Sequence, residues 1–559
     1  MLTRLAPAVA IALLAGPVLF GLFGTALPAF GYLPALGGDA FSIDAFRALA
    51  TQPGLSRSVA LSLLTGLASS IIAVAIVALL TAAWSGTRAF TVMRHLISPL
   101  LAVPHAAAAF GLAFMIAPSG FLARLFSPWA TGWTRPPDWL IVNDPLGLSL
   151  VAGLVVKEVP FILLVTLAAL PLMRAAETLH VAQGLGHGRI AGFLLTVWPQ
   201  VYRQIRLAVF AVVAFATSVV DVAAILGPTT PAPLSVRLVE WMADPDLAMR
   251  FMASAGALLQ LGVTLTALAI WIALERLAAG IARAIASRGM RFSRDAAARN
   301  AALGVSLASM AVVAGGLLVL ALWSVAGLWQ FPDALPTKLV VKTWVDTAPR
   351  IVDPLWSTIL AASFATIVAV VLAVLCLVRE LETGKTGGTR ALLFIYLPLL
   401  MPQAAFLFGL QFLFLSAGVT PGLVAVSFAH LVFVLPYVFL SLSDPWRAFD
   451  RRYEAVAAGL GKSPRATGLR VRLPMLLPAI LTAAAVGFAV SVGQYLPTLL
   501  IGAGRVPTIT TEAVALASGG NRRVIGVYAF LQMLLPFLGF ALATGLPALL
   551  FANRRAMRA

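Results

Sequence analysis

Apolar residues in this chain fall in long unbroken blocks, without the 3.6-residue or two-residue rhythm of elements that keep one face in water. The block at 71–83 is representative, with Thr81 as its one polar member. It does not alternate, so it does not read as the ~10-residue strand of a membrane barrel, which sets apolar against polar at each step. A run of about 20 apolar residues crosses a bilayer as an α-helix, because a helix satisfies its own backbone there. Twelve spans are predicted, at roughly 8–30, 58–84, 92–117, 147–170, 204–226 and 250–275, then at roughly 301–324, 355–378, 392–417, 421–443, 477–500 and 524–552. The stretch at 5–30 follows Arg4 and is longer than the ~7–15-residue apolar core of a signal peptide, so it reads as an uncleaved first span. The polar, basic segment at 276–300 divides the chain into a first half, 1–280, and a second half, 301–559, with 281–300 as a cytoplasmic linker.

Composition agrees with a fold solvated by lipid. The mean hydropathy is +0.98, with 61% apolar and 11% charged residues, a surface unsuited to water. The net charge of +18 would suggest nucleic acid in a soluble protein, but its distribution has a simpler source. With the N-terminus inside, cytoplasmic segments hold 26 of the 39 lysines and arginines and the opposite side holds 12, Lys157 falling within a span. Arg283, Arg288, Arg291, Arg294 and Arg299 of the linker and Arg554, Arg555 and Arg558 at the end belong to the larger group. Such an excess marks the cytoplasmic side, so both termini are expected there and no nucleic acid is needed. Trp129, Trp133, Trp139, Trp241, Trp329 and Trp344 then sit in or near outer loops, as interfacial anchors do. Cys376 is the lone cysteine, which excludes disulfides within the chain and cysteine metal clusters.

The two halves repeat each other. Pro104-His105-Ala106-Ala107 with Phe110-Gly111-Leu112 matches Pro402-Gln403-Ala404-Ala405 with Phe408-Gly409-Leu410 at a shift of 298. Val181-Ala182, Gly184-Leu185-Gly186 and Pro199 match Val456-Ala457, Gly459-Leu460-Gly461 and Pro474 at a shift of 275, the difference lying in an outer loop that is longer in the first half. Six spans per half give the repeats one orientation, hence a pseudo-twofold axis along the membrane normal and a pathway between the halves.

The segment after the fourth span of each half is the most informative. In the second half, at about 447–476, Glu454 to Gly459 favours a short helix and Gly461 suits the left-handed position that ends it. Ser463 is a good N-cap, Pro464 fits the first position of a second helix, and Pro474 is expected to limit that helix. The first half repeats this at about 174–203, with His187-Gly188 in place of the Ser-Pro start. These segments resemble the coupling (EAA) loop of binding-protein-dependent ABC importer permeases, a pattern of Glu-Ala-Ala, three residues, Gly, then Pro 13 residues later. Both spacings, Gly186 to Pro199 and Gly461 to Pro474, fit. The Glu-Ala-Ala slot departs, reading His180-Val181-Ala182 and Ala455-Val456-Ala457, with Glu454 one residue early. The resemblance covers nearly the whole chain and is to fused permeases of the ferric-iron and thiamine uptake type. It implies an all-α membrane protein of two tandem six-helix, MetI-like domains. It also implies a cytoplasmic ATPase subunit docked on each loop, hence two copies, and an extracytoplasmic solute-binding protein. On that resemblance, ATP and Mg²⁺ reside on the partner, this chain binds no cofactor of its own, and the seat is the bacterial inner membrane.

No phosphate-binding loop is visible: Gly461-Lys462-Ser463 and Gly384-Lys385-Thr386 lack the glycine five residues earlier, where Val456 and Arg379 stand, and neither follows a strand. No histidine shows a metal-ligand spacing, and no catalytic constellation stands out. Polar groups within spans are costly and face cavities or one another. His105, Lys157, Glu158, Asp221, Gln403 and Gln494 are such groups, and line the pathway or serve interhelical bonding, Lys157 and Glu158 being expected to pair with each other. Ser218-Val219-Val220-Asp221 aligns with Ser491-Val492-Gly493-Gln494, so Asp221 and Gln494 correspond. Pro160 and Pro436 fall at matching places in the fourth and tenth spans, where kinks are expected. An ion-gradient-driven 6+6 transporter is the alternative, with Glu158 or Asp221 carrying protons.

Overall fold

Peptide groups in hydrocarbon have no partners except other peptide groups and a few polar side chains, and apolar blocks of this length therefore coil into helices. The computed structural model describes residues 2–97 and 102–551, so Arg554, Arg555 and Arg558 lie outside the described residues. Eleven of the described helices are long and apolar enough to cross a membrane. A further pair, Ala391–Leu400 and Gln403–Ser416, is bent by 90° and makes a twelfth when counted as one span. The long elements are α1 (Leu2–Ala29), α2 (Leu55–Trp84), α3 (His105–Ile116), α4 (Leu148–Ala169), α5 (Arg189–Ser218) and α6 (Met249–Ser287) in the first half. In the second they are α7 (Ala296–Ser324), α8 (Lys342–Thr383), α9 (Gln403–Ser416), α10 (Leu423–Arg447), α11 (Pro464–Val492) and α12 (Arg522–Leu550). The all-helical, twelve-span architecture is the one expected.

Several spans differ from straight rods. The span expected at 392–417 breaks before Pro402, where Met401 is extended (φ −92°, ψ 133°) because a residue preceding proline avoids the helical region. Its counterpart, expected at 92–117, runs through residues outside the described set; helix Arg88–Ile97 precedes α3, which starts at His105 behind an extended Pro104. The spans expected at 204–226 and 477–500 begin earlier and stop inside the bilayer, at Ser218 and Val492, before short helices Asp221–Leu226 and Leu496–Gly502. The linker is shorter than expected, because the alanine-rich run after 276 continues α6 to Ser287 and α7 starts at Ala296.

The halves are not side by side. Each first span lies against the opposite half: α1 packs along α9 and α8, and α7 packs along α3 and α2. Glycine permits both crossings. A Cβ on Gly24 would sit 2.7 Å from Gly409 O, and one on Gly111 would sit 2.9 Å from Gly316 C, so these backbones touch. Gly111 and Gly409 are a matched pair in the repeat. The Gly409 N–H donates to Thr25 Oγ1 at 2.8 Å, tying α9 to α1. The cores follow this exchange. One apolar cluster joins Ala106, Phe110 and Val222 to Leu320, Trp323 and Ile525, and another joins Val18, Leu238 and Met252 to Phe406, Val432 and Leu500. Leu14 enters the second half's own cluster and Ala302 enters the first half's.

Gly409→Ala should therefore lower stability by about 1–3 kcal/mol through overpacking, read as a fall in the thermal midpoint in detergent. Gly16→Ala is the control, since nothing lies within 4 Å of its Cβ position, and it should leave the midpoint unchanged or higher.

Candidate functional site

Two exposed loops and one intramembrane junction carry the polar and exposed features of the repeat. In the first loop, helix Ala175–Gly184 ends through Gly186 at φ +90°, with the Gly186 N–H donating to Gln183 O at 2.9 Å and the His187 N–H to Ala182 O at 3.2 Å. In the second, helix Arg452–Gly459 ends through Gly461 at φ +76°, with the Gly461 N–H donating to Ala458 O at 2.9 Å and the Lys462 N–H to Ala457 O at 3.0 Å. This paired closure needs a left-handed residue, which is why glycine stands at both places.

Each loop then enters a short helix, Arg189–Gly192 or Pro464–Thr467, and passes through one π turn, Phe193–Val197 or Gly468–Arg472, into α5 or α11. The expectation that Pro474 limits its helix is corrected here. Pro199 and Pro474 each stand second after the π turn, behind Trp198 and Leu473, and lie within continuous helices. A proline lacks the N–H and crowds the carbonyl four residues back, and the wider turn relieves both. The loop is thus joined to the fifth span of its half without an intervening coil.

Exposure repeats as well. Val181 and Leu185 are 64% and 62% exposed, and their counterparts Val456 and Leu460 are 64% and 75% exposed, whereas Ala182 and Ala457 are buried. His180 and Ala455 are exposed beside them. Each loop therefore offers the same two apolar side chains, one helical turn apart. Glu454 does not project into this surface: it pairs with Arg472 of the π turn, whose guanidinium lies over Trp446 and Phe449 at 5.9 and 5.7 Å.

Within the bilayer, the breaks of α5 and α11 are braced at corresponding places by a hydroxyl, a glutamine amide and a second hydroxyl. In the first half the Ser235 hydroxyl donates to Val219 O at 2.6 Å, Gln260 Nε2 donates to Thr217 O at 3.0 Å, and the Leu234 N–H donates to Ser62 Oγ at 2.9 Å. In the second the Thr510 hydroxyl donates to Val492 O, Gln532 Nε2 donates to Thr510 Oγ1 at 2.8 Å, and the Ile509 N–H donates to Thr358 Oγ1 at 2.9 Å. Backbone groups at and beside a break must find partners in a medium without water; five of these side chains bond them directly, and Gln532 holds the Thr510 hydroxyl that does so. Sequence reasoning missed all six; Gln260 and Gln532, isolated amides in apolar spans, were the available signal.

The breaks bring expected pathway residues to the junction of the halves. Asp221 opens the helix after the first break and interacts electrostatically with Tyr495, next to Gln494, in the second. A Cβ on Gly493 would lie 3.8 Å from Pro104 Cβ, so the start of α3 meets the break of α11. The His105 ring lies 4.7 Å from the Phe215 ring and within electrostatic reach of Lys157. Gln403 holds the matching place at the start of α9. The mutual pair expected of Lys157 and Glu158 is corrected. Consecutive helical residues point about 100° apart, and Glu158 Oε1 accepts from Ser69 Oγ at 3.4 Å instead, while Oε2 has no hydrogen-bond partner. His430 was also missed. It is buried and bridges the second break, 2.7 Å from Ser491 Oγ and 2.8 Å from Thr498 Oγ1.

No protein-family model matches the chain. It is 31% identical over 506 residues to the inner membrane ABC transporter permease protein YnjC of Escherichia coli (strain K12), covering 90% of each chain. Over 172 residues, 28% of this chain, it is 32% identical to the molybdenum transport system permease protein ModB of Mycobacterium tuberculosis (strain ATCC 25618 / H37Rv), of which 65% is covered. Over 165 residues, also 28% of this chain, it is 26% identical to the putrescine transport system permease protein PotI of Escherichia coli (strain K12), of which 59% is covered.

Gln260→Leu and Gln532→Leu should each destabilise the protein by about 1–3 kcal/mol, because each strands a polar group at a break. Thermal midpoints in detergent measure this, and equal midpoints for variants and parent would refute the bracing role.

Proposed function

The chain belongs to the ABC transporter permeases, and on that premise we propose that it supplies both membrane halves of one ATP-driven importer, powered by two copies of a cytoplasmic ATPase subunit. It is a multi-pass inner-membrane transport subunit. In this reading ATP and Mg²⁺ reside on the partner, and a binding protein outside delivers a small solute.

One observation carries the proposal: two loops, 275 residues apart, share the same glycine closure, the same π turn and proline, and the same exposed apolar pair. A paired apolar patch repeated on a solvated helix is a docking surface for a repeated partner. Closure of an ATPase pair would displace both loops together. Because each loop is helically continuous with α5 or α11, the displacement reaches the breaks at the junction of the halves, and alternating access follows from rocking one half against the other. His105, Lys157, Asp221, Gln403 and Gln494 are the proposed polar lining of that pathway, with Glu158 beside it.

The loops follow the fourth and tenth spans and the linker follows the sixth, so all three share one side with the termini. Their arginines favour the cytoplasm. The two relatives with named cargoes are named for molybdenum in one case and putrescine in the other, chemically unlike solutes, so kinship selects none for this chain; ferric iron and thiamine stay as cargoes suggested by sequence resemblance.

Val181→Glu combined with Val456→Glu should reduce ATPase co-purification at least tenfold and abolish ATP-dependent uptake in proteoliposomes, since a carboxylate would be stranded in each seat. The positions are exposed, so the permease itself should keep its thermal midpoint. Uptake driven by an ion gradient alone, with no ATPase present, would overturn the proposal.

A further inference from the structure

The two coupling loops are built alike but held in different ways. At the start of the second short helix, Ser463 caps its own segment: its side-chain oxygen accepts from the Ala466 N–H at 3.3 Å. The equivalent position in the first loop is Gly188, which has no side chain to cap with. The cap comes instead from the interdomain linker, where Asp295 Oδ2 accepts from the Ile190 N–H at 2.8 Å. The Gly188 N–H donates to Arg291 O at 3.2 Å, and a Cβ at 188 would collide with Phe292 O, so the bare glycine admits the linker backbone. The Arg291 side chain lies 3.2 Å from the Cβ position of Gly186, whereas among the described residues nothing lies within 4 Å of the Cβ position of Gly461.

The anchoring extends further. Arg189 Nε donates to Ala83 O at 2.8 Å and its Nη2 to Ser85 O, both at the end of α2. Trp84 Nε1 donates to Arg299 O at 2.9 Å, with the Arg299 guanidinium 5.3 Å over the Trp84 ring. Loop, linker and the end of α2 form one unit. The second loop has Pro464 where the first has Arg189, and relies on its internal Glu454–Arg472 pair.

We propose that the first ATPase seat is a composite of coupling loop and interdomain linker, fixed by Asp295 as a borrowed N-cap, and that the two seats are therefore not equivalent. Asp295 is a positioning residue, acting through the loop. The proposal rests on the ATPase-docking reading above only for what sits on the seat; the cap itself is independent of it.

Hydrogen exchange on the full-length chain tests the cap, with the second loop as internal control. Asp295→Ala should speed exchange across 188–192 about fivefold or more and leave 463–467 unchanged. Asp295→Asn, which keeps an acceptor, should restore most of the protection. Equal exchange in Asp295→Ala and parent, or an equal rise in both loops, overturns the clamp. For the partner, a photo-crosslinker is attached at Val181→Cys or Val456→Cys in a Cys376→Ser chain and irradiated with the cognate ATPase. Adding Asp295→Ala should cut the ATPase adduct severalfold at 181 and leave it unchanged at 456. A loss equal at both sites, or at neither, overturns the non-equivalent seats. Adduct at neither site without Asp295→Ala overturns the ATPase reading instead, and the exchange result still decides the clamp.

Discussion

Lipid offers a peptide group nothing to bond with, and this constraint organises the whole structure. Among the described residues, the long apolar blocks are helical. Where α5 and α11 stop inside the bilayer, a side chain takes the freed carbonyl: Ser235 and Gln260 in one half, and Thr510, itself held by Gln532, in the other. The breaks are also where the halves meet, so the cost of interrupting a span coincides with the place where a polar solute would need polar surroundings.

Contact between the halves follows from a second economy of space. Leu and Val side chains gain little by leaving lipid for each other, so close backbone approach becomes the source of attraction. Gly24 with Gly409 and Gly111 with Gly316 provide it, and the Gly409 N–H finds Thr25 across the crossing. These contacts are matched in the repeat, as are the breaks and the loops. The polar residues near the junction differ in kind: Asp221 and Gln494 share a place but not a charge, and Lys157 and Glu158 are added in the first half and His430 in the second. A common scaffold thus surrounds an asymmetric interior.

Much of this was legible in the sequence, for reasons that can be named. Apolar blocks marked the spans because length and hydropathy are sufficient for a helix in lipid. Gly186, Gly461, Ser463 and Pro464 marked the loops because turn chemistry is local. What escaped depended on partners distant in the chain. Hydropathy counts apolar residues and is blind to where a backbone carbonyl finds its donor, so the broken spans read as straight ones. Pro474 read as a helix end because a π turn leaves no signal of its own. Glu454 read only as the start of a short loop helix, since nothing local announces Arg472 as its partner. The opposite placement of α1 and α7 was invisible, as two glycines in apolar helices do not say which helix they face.

That placement bears on why the chain is continuous. Were the polypeptide severed between Ser287 and Ala296, each fragment would lack a wall, because its own leading helix packs along the other's spans. Either product alone would leave uncovered the glycine-lined surface on which the other's leading helix packs. A single reading frame removes that hazard by holding the complementary pieces at high mutual concentration and in one-to-one ratio from the moment of synthesis.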